Sequence, residues 1–461
     1  MEFIGDGSSS EDSETDINAS EDVVERRDAA LTDSKPGVHK RKASVSNSVG
    51  VNVPRGQQAK RLKESNVKDT AAKSPKRLAS ITAASLSSNR SSSSSQSISN
   101  FQPSRKKYNS IENIYHADKC ILTFDVDRSG HLMIAGGHNC KVEQFELNKS
   151  QNTNGKNFLS PVREITPEPG TAVWSVKYNN NCTNFAVACV SPTPSIYDRV
   201  CRKVVSFIRG DPYLADMSKT KGHISVVTGI SWHPRDREVL LTSSLDGSLR
   251  TWNLNGTKHF DALVCNQVVK ARDENGRRIG ITSSCYDRIS GNLVAGVTSR
   301  GGLQIWKLKA GTKLDRPQFC NNQANVGCGD LSDVAFVGDG RHLLTRVNRG
   351  SEKSSSVIKL WDTRKIGKPL KSITCLKTNE NKCTFHLIEN TTYVVCPTDT
   401  GKDEGAEVVN VYNMANRGSD ASTIIEMESS CICAMYNKKS DTLFMGECDG
   451  TISRVKGFAH P

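Results

Sequence analysis

Runs of lysine and arginine, and two serines set beside them, are the first residues of this chain that could do chemistry. The runs are Lys40-Arg41-Lys42, Lys60-Arg61-Leu62-Lys63 and Lys73-Ser74-Pro75-Lys76-Arg77, with Arg105-Lys106-Lys107 further on. Short cationic clusters in a serine-rich stretch suit the acidic grooves of a nuclear import receptor (an importin). They would also suit nucleic-acid phosphates, or be solvated charge without a reader. Ser74 has the pattern of a proline-directed kinase site, and Ser44, after Arg41-Lys42-Ala43, that of a basophilic one. A phosphate there adds up to about two negative charges and weakens the grip of the adjacent run on an acidic surface. Catalytic patterns are missing: the chain holds no HExxH, no GxSxG, no glycine-rich phosphate loop and no convergent carboxylate set. No enzyme and no cofactor are expected. The 15 cysteines are scattered without a CxxC pair, so they read as small buried hydrophobes in a reducing compartment, not as disulfides or metal ligands. Cys431 and Cys433 are two apart, which on a regular strand places both on one face.

These clusters lie in a segment that reads as disordered. Residues 1–107 show no sustained periodicity, few aromatics and tracts such as Ser91 to Ser95, a composition that cannot offset its ordering entropy. Charge comes in blocks: residues 1–28 carry −8, residues 29–110 carry +13, and residues 111–461 carry +8, within an overall +13. The opening Met1 to Asp6 lacks the basic and apolar regions of a secretory signal. No run approaches the roughly 18 apolar residues of a membrane helix.

From residue 108 onward the pattern changes to short β-rich runs bounded by Gly, Asn, Asp and Ser, the chemistry of strands and tight turns. One layout recurs. Its clearest copy runs Gly222-His223, Ser231-Trp232-His233-Pro234, Leu245-Asp246-Gly247, Thr251-Trp252-Asn253, and it resembles a WD40 repeat. The equivalents of Trp252 are Phe145, Tyr197, Trp306, Trp361, Tyr412 and Val455, at intervals of 52, 55, 54, 55, 51 and 43 residues. A single four-stranded unit cannot bury its faces alone, whereas seven in a ring can. The expected fold is therefore an all-β, seven-bladed WD40 β-propeller over residues 108–461. The last unit runs out after its third strand, so residues 111–116 are expected to supply its fourth and close the ring. The long stretches 348–356 and 398–407 are candidate partner loops or mere excursions.

The WD40 resemblance implies a structural hydrogen-bond tetrad in the best repeat: His223, a strand hydroxyl (Thr242 or Ser244, with Ser244 preferred), Asp246 and Trp252. Arg300 stands where a second such carboxylate would be, and the second and sixth units use Tyr, so those blades are expected to rely on packing.

The strip Gly210-Asp211-Pro212-Tyr213-Leu214-Ala215-Asp216-Met217, continued by Ser218-Lys219-Thr220-Lys221, is not generic to WD repeats. With Ile196-Tyr197-Asp198-Arg199, Gly302-Leu303-Gln304-Ile305-Trp306 and Lys359-Leu360-Trp361-Asp362-Thr363-Arg364, it resembles the WD repeat-containing protein 70 (gastrulation-defective-1 type) family. The resemblance implies a nuclear, non-enzymatic scaffold, monomeric within larger complexes and without a membrane. It implies a candidate substrate receptor of a cullin-4 ubiquitin ligase in chromatin regulation and DNA-damage response, or a spliceosome-associated factor. Trp361-Asp362-x-Arg364 resembles the box that docks propellers onto the cullin-4 adaptor; the bland reading is a rim arginine beside two structural residues. Nucleic-acid contact by such a chain would be indirect or non-specific.

Overall fold

A computed structural model of the chain describes residues 111–458 apart from positions 150, 154–155, 309–315, 326–327, 350–354, 377–381, 399–406, 417 and 419–420. Residues 1–107, with the basic runs, Ser44 and Ser74, lie outside the described residues, as do the middles of the two long stretches at 348–356 and 398–407.

Seven sheets form a ring of antiparallel meanders. Blade 1 holds Ile121–Val126, Leu132–Gly137, Val142–Glu146 and Arg163–Ile165. Blade 2 holds Val173–Tyr178, Asn184–Cys189, Ser195–Asp198 and Lys203–Phe207. Blade 3 comprises Val227–Trp232, Val239–Ser244, Ser248–Asn253 and Gln267–Lys270; blade 4 comprises Ile281–Tyr286, Leu293–Thr298, Leu303–Lys307 and Phe319–Asn321. Blade 5 runs through Cys328–Phe336, His342–Arg349, Ser355–Asp362 and Lys371–Leu376, and blade 6 through His386–Leu387, Tyr393–Pro397, Glu407–Asn413 and Thr423–Met427. Blade 7 contributes Cys431–Asn437, Thr442–Glu447 and Thr451–Lys456.

The fourth strand of blade 7 is Glu112–His116, from the other end of the propeller sequence. It pairs antiparallel with the third strand, Asn113 opposite Ser453 and His116 opposite Thr451. Ile114 is fully buried there, Tyr115 packs on Phe145 of blade 1 at 4.6 Å, and Glu112 pairs with Arg454 at 2.8 Å. The closure expected from the sequence is the one found.

Second strands are buried on both faces because each blade is sandwiched between two others; in Leu293–Thr298, five of six positions are buried. First-to-second turns are built by an Asp or Asn that gathers the turn amides. Asp127 Oδ1 accepts from His131 N (2.8 Å) and Leu132 N (3.0 Å), with Gly130 at φ +73° in the left-handed region that favours glycine. Asn179, Asp287 and Asn437 repeat the device. Neighbouring blades are stitched near the axis. Asp125 accepts from Tyr178 N at 2.7 Å, Trp232 Nε1 donates to the Lys177 carbonyl at 2.9 Å, Ser283 donates to Asp333 at 2.8 Å, and Thr384 donates to the Ile432 carbonyl at 2.6 Å.

Two expectations need correction. Cys431 and Cys433 do not share one face in a regular strand. A β-bulge falls between them, and each packs into a different inter-blade core, Cys431 toward blade 6 and Cys433 toward blade 1. Blade 2 is also larger than four strands. The loop joining the third and fourth strands of blade 3 folds into a hairpin, Lys258–His259 and Ala262–Leu263, whose second strand lies parallel to Lys203–Phe207 and covers that edge.

Candidate interaction sites on the propeller

The seven positions equivalent to Trp252 prove structurally equivalent. Phe145, Tyr197, Trp252, Trp306, Trp361, Tyr412 and Val455 each face a residue of the second strand, respectively Met133, Phe185, Leu240, Val294, Leu343, Val394 and Leu443. In blades 3 and 5 the hydrogen-bond partner of the index side chain stands two residues further along the second strand.

In blade 3 that partner is Thr242, and it completes the tetrad. His223 Nδ1 lies 2.9 Å from Asp246 Oδ2, His223 Nε2 lies 2.7 Å from Thr242 Oγ1, and Trp252 Nε1 donates to the same Oγ1 at 2.8 Å. The preferred hydroxyl, Ser244, is outside this network: its Oγ donates to the Ser225 carbonyl at 3.0 Å and accepts from Asp246 N at 3.1 Å. Burial lowers the His223 pKa against the pull of Asp246. Burial would raise Asp246, but hydrogen bonds from His223, Ser248 and Ile224 N outweigh it and hold the carboxyl at about 2. A neutral imidazole thus donates through Nδ1 and accepts the threonine proton at Nε2, so every proton has one acceptor. Nothing in this buried set reaches solvent, which makes it structural.

Other blades keep fragments. Thr345 of blade 5 accepts from Trp361 Nε1 at 2.9 Å. Blade 4 has Gly296 at that position, where an added Cβ would sit 3.2 Å from the Trp306 ring, and the buried Trp306 Nε1 finds no acceptor among the described residues. Arg300, where a carboxylate would stand, instead pairs outward with Asp273 at 3.2 Å. In blade 2, Tyr197 stacks on Phe185 with centroids 5.6 Å apart.

Arg364 follows the third strand of blade 5 and is 67% exposed on the rim. Its fork is already closed on its own strand end: Nε donates to Asp362 Oδ1 at 3.0 Å and Nη2 to Oδ2 at 2.8 Å. That pairing holds the Asp362 carboxyl well below its ordinary range. A partner's carboxylate therefore meets an oriented guanidinium with one face engaged, not a free bidentate fork. Trp361 is buried in the core between blades 4 and 5.

Sequence reasoning missed the inward-facing cations, among them the fully buried Arg250 and Arg346 and the half-buried Lys382. Arg250 is fully buried in blade 3 and forms no ion pair among the described residues. Its Nη1 donates to the Thr220 carbonyl (2.8 Å) and its Nη2 to the Met217 carbonyl (3.1 Å), which pins the connection through residues 210–222. Lys270 bonds Asp216 at 2.7 Å and secures the same loop, whose tip carries Tyr213 at 94% exposure. Arg250 shares its strand face with Trp252, so a cation at an inward position of the alternation was the available signal. Lys382, just before blade 6, donates to the carbonyls of Trp174 (2.6 Å) in blade 2 and Leu122 (3.3 Å) in blade 1. Blades 1 and 2 lie across the ring from blade 6, so this side chain spans the central channel; burial lowers its pKa to about 8. No local pattern announces such a contact.

Comparison with known proteins agrees with this geometry. The WD40 family (WD domain, G-beta repeat) matches residues 216–253, which hold the tetrad. WD repeat-containing protein 70 of Bos taurus is 31% identical over 277 residues, 60% of this chain and 39% of that protein. Its counterpart in Xenopus tropicalis is 28% identical over 257 residues, 56% of this chain and 38% of that protein. The gastrulation defective protein 1 homolog of Drosophila melanogaster is 25% identical over 344 residues, 73% of this chain and 48% of that protein. The chain thus spans less than half the length of these relatives. It is a seven-bladed WD40 β-propeller protein, and the resemblance read from residues 210–234 and 359–364 is to the WD repeat-containing protein 70 and gastrulation-defective-1 type proteins.

Proposed function

We propose that the chain is a non-enzymatic nuclear scaffold that joins proteins on a rigid ring and serves as a substrate receptor of a cullin-4 ubiquitin ligase in chromatin regulation and the DNA-damage response. The observation that carries the reading is Arg364, exposed on the rim directly after Trp361-Asp362 and held in one orientation by Asp362. A pre-oriented guanidinium binds without the entropy cost of ordering a free side chain. The basic clusters at Lys40 to Lys42, Lys60 to Lys63 and Lys73 to Arg77 support entry to the nucleus through an import receptor, with Ser44 and Ser74 as phosphorylation switches on that step.

Calorimetry with the purified cullin-4 adaptor tests this. The intact chain should bind, and Arg364→Ala should weaken binding by about tenfold, roughly 1.4 kcal/mol, with an unchanged melting temperature. No binding by the intact chain would sink the ligase reading and leave the second one, a spliceosome-associated scaffold, which rests on the family resemblance alone.

A further inference from the structure

The two faces of the ring differ in charge. First-to-second and third-to-fourth turns emerge on one face, here the lower, because each blade is a meander. Among the described residues those turns hold a clear excess of Arg and Lys over Asp and Glu, including Arg128, Arg235, Arg341, Lys438 and Lys439. The connections on the upper face are near balance, with Asp211, Asp216, Asp273 and Glu274 among Lys219, Lys221, Arg272 and Arg277.

At the centre of the lower face lies the channel mouth, a cavity of about 740 Å³ that every blade helps to line. Three cations surround it: Arg128 of blade 1, Lys177 of blade 2 and Arg288 of blade 4. Their counter-charges are weak. Lys177 stands 3.9 Å from Asp125, whose buried carboxyl is raised toward its neutral form, and Arg288 reaches Glu389 only at 3.5 Å. Arg128 forms no ion pair among the described residues. His386, also at the mouth, has a buried Nε2 without a partner among them, and burial together with Lys177 and Arg288 pushes its pKa down to about 3. Deeper in, the bore is crossed by Lys382.

We propose that the lower channel mouth is a docking site for an acidic loop or tail of a partner protein, which inserts a carboxylate side chain between Arg128, Lys177 and Arg288. Three cations lining one mouth raise the local potential for a carboxylate, as clefts of one sign of charge do. Apolar lining from exposed Ile289 and half-buried Met435 gives the rest of the segment a surface to pack on. A peptide fits better than RNA, because the aromatic rings at the mouth, Tyr178, Trp232 and Tyr286, are buried within their blades and offer no stacking platform. The site is independent of Arg364, so it stands or falls apart from adaptor docking.

Hydrogen-exchange mass spectrometry on the full chain tests this, with a short glutamate-rich peptide as probe and an oligouridylate as comparison. The peptide should slow exchange in the turns at 127–131 and 287–292. Arg128→Glu with Arg288→Glu should abolish that protection and weaken peptide binding by about tenfold or more, with the melting temperature retained. Lys219→Glu on the opposite face should leave the protection intact. Protection confined to the basic segment at 29–107, no protection at either turn, or equal protection by oligouridylate would each overturn the proposal.

Discussion

Removing the imidazole of His223 would strand the Asp246 carboxylate in the core with its main donor gone. His223→Ala should therefore destabilise the fold by about 2–4 kcal/mol, the range for breaking a buried charged hydrogen-bond pair, read as a lower urea midpoint with an unchanged slope. Asp246 is depressed from 3.8 to about 2, so its contribution is full above its unfolded pKa and fades as pH falls toward 2. Glu447 runs the other way. Burial raises it from 4.5 to about 7, against hydrogen bonds from Ser453 and Ser429. The folded chain binds that proton more tightly, so this contribution is full below pH 4.5 and lost as pH rises through 7. Ser453 touches both Glu447 and Asn113 of the closing strand; a protonated Glu447 carboxyl donates to Ser453 Oγ and leaves the serine proton for Asn113 Oδ1. Glu447→Gln should flatten the stability profile between pH 4.5 and 7 and stabilise the chain at pH 8 by up to about 3 kcal/mol; an unchanged profile in urea titrations across that window would refute the assignment.

Ring closure rests on one element, Glu112–His116, which buries Ile114 and pairs along the third strand of blade 7. Deleting residues 108–117 exposes that strand edge and the core beneath it, so the product should melt well below the intact chain or aggregate, whereas deletion of 1–100 should leave the melting temperature unchanged. A stable, soluble product of the first deletion, by calorimetry, would contradict closure by this strand. Elements were legible where the physics is local. All seven index positions came from turn and strand chemistry alone, even Val455, where no tryptophan marks the place. The choice between Thr242 and Ser244 was not legible: they are two apart, so alternation puts both on one face, and only register sets Thr242 diagonal to Trp252, within reach of its Nε1. The edge hairpin at Lys258–His259 and Ala262–Leu263 escaped for another reason. Its stability comes from pairing with blade 2, more than fifty residues away, and not from its own residues.

For the molecule as a whole, the ring offers partners two surfaces of different character. The lower face carries the cationic mouth and the Arg364 rim; the upper carries the pinned loop with exposed Tyr213. Rigid presentation is what a scaffold needs, because a partner then meets an ordered surface. The most direct test of the scaffold account is a quantitative pull-down from nuclear extract with the intact chain and Arg364→Ala side by side, both confirmed folded. The intact chain should retain a reproducible partner set, and the variant should selectively lose the cullin-4 adaptor while keeping the remaining partners. Retention of the same complete set would make Trp361-Asp362-Thr363-Arg364 structural, and recovery of no stoichiometric partner by the intact chain would contradict the scaffold function itself.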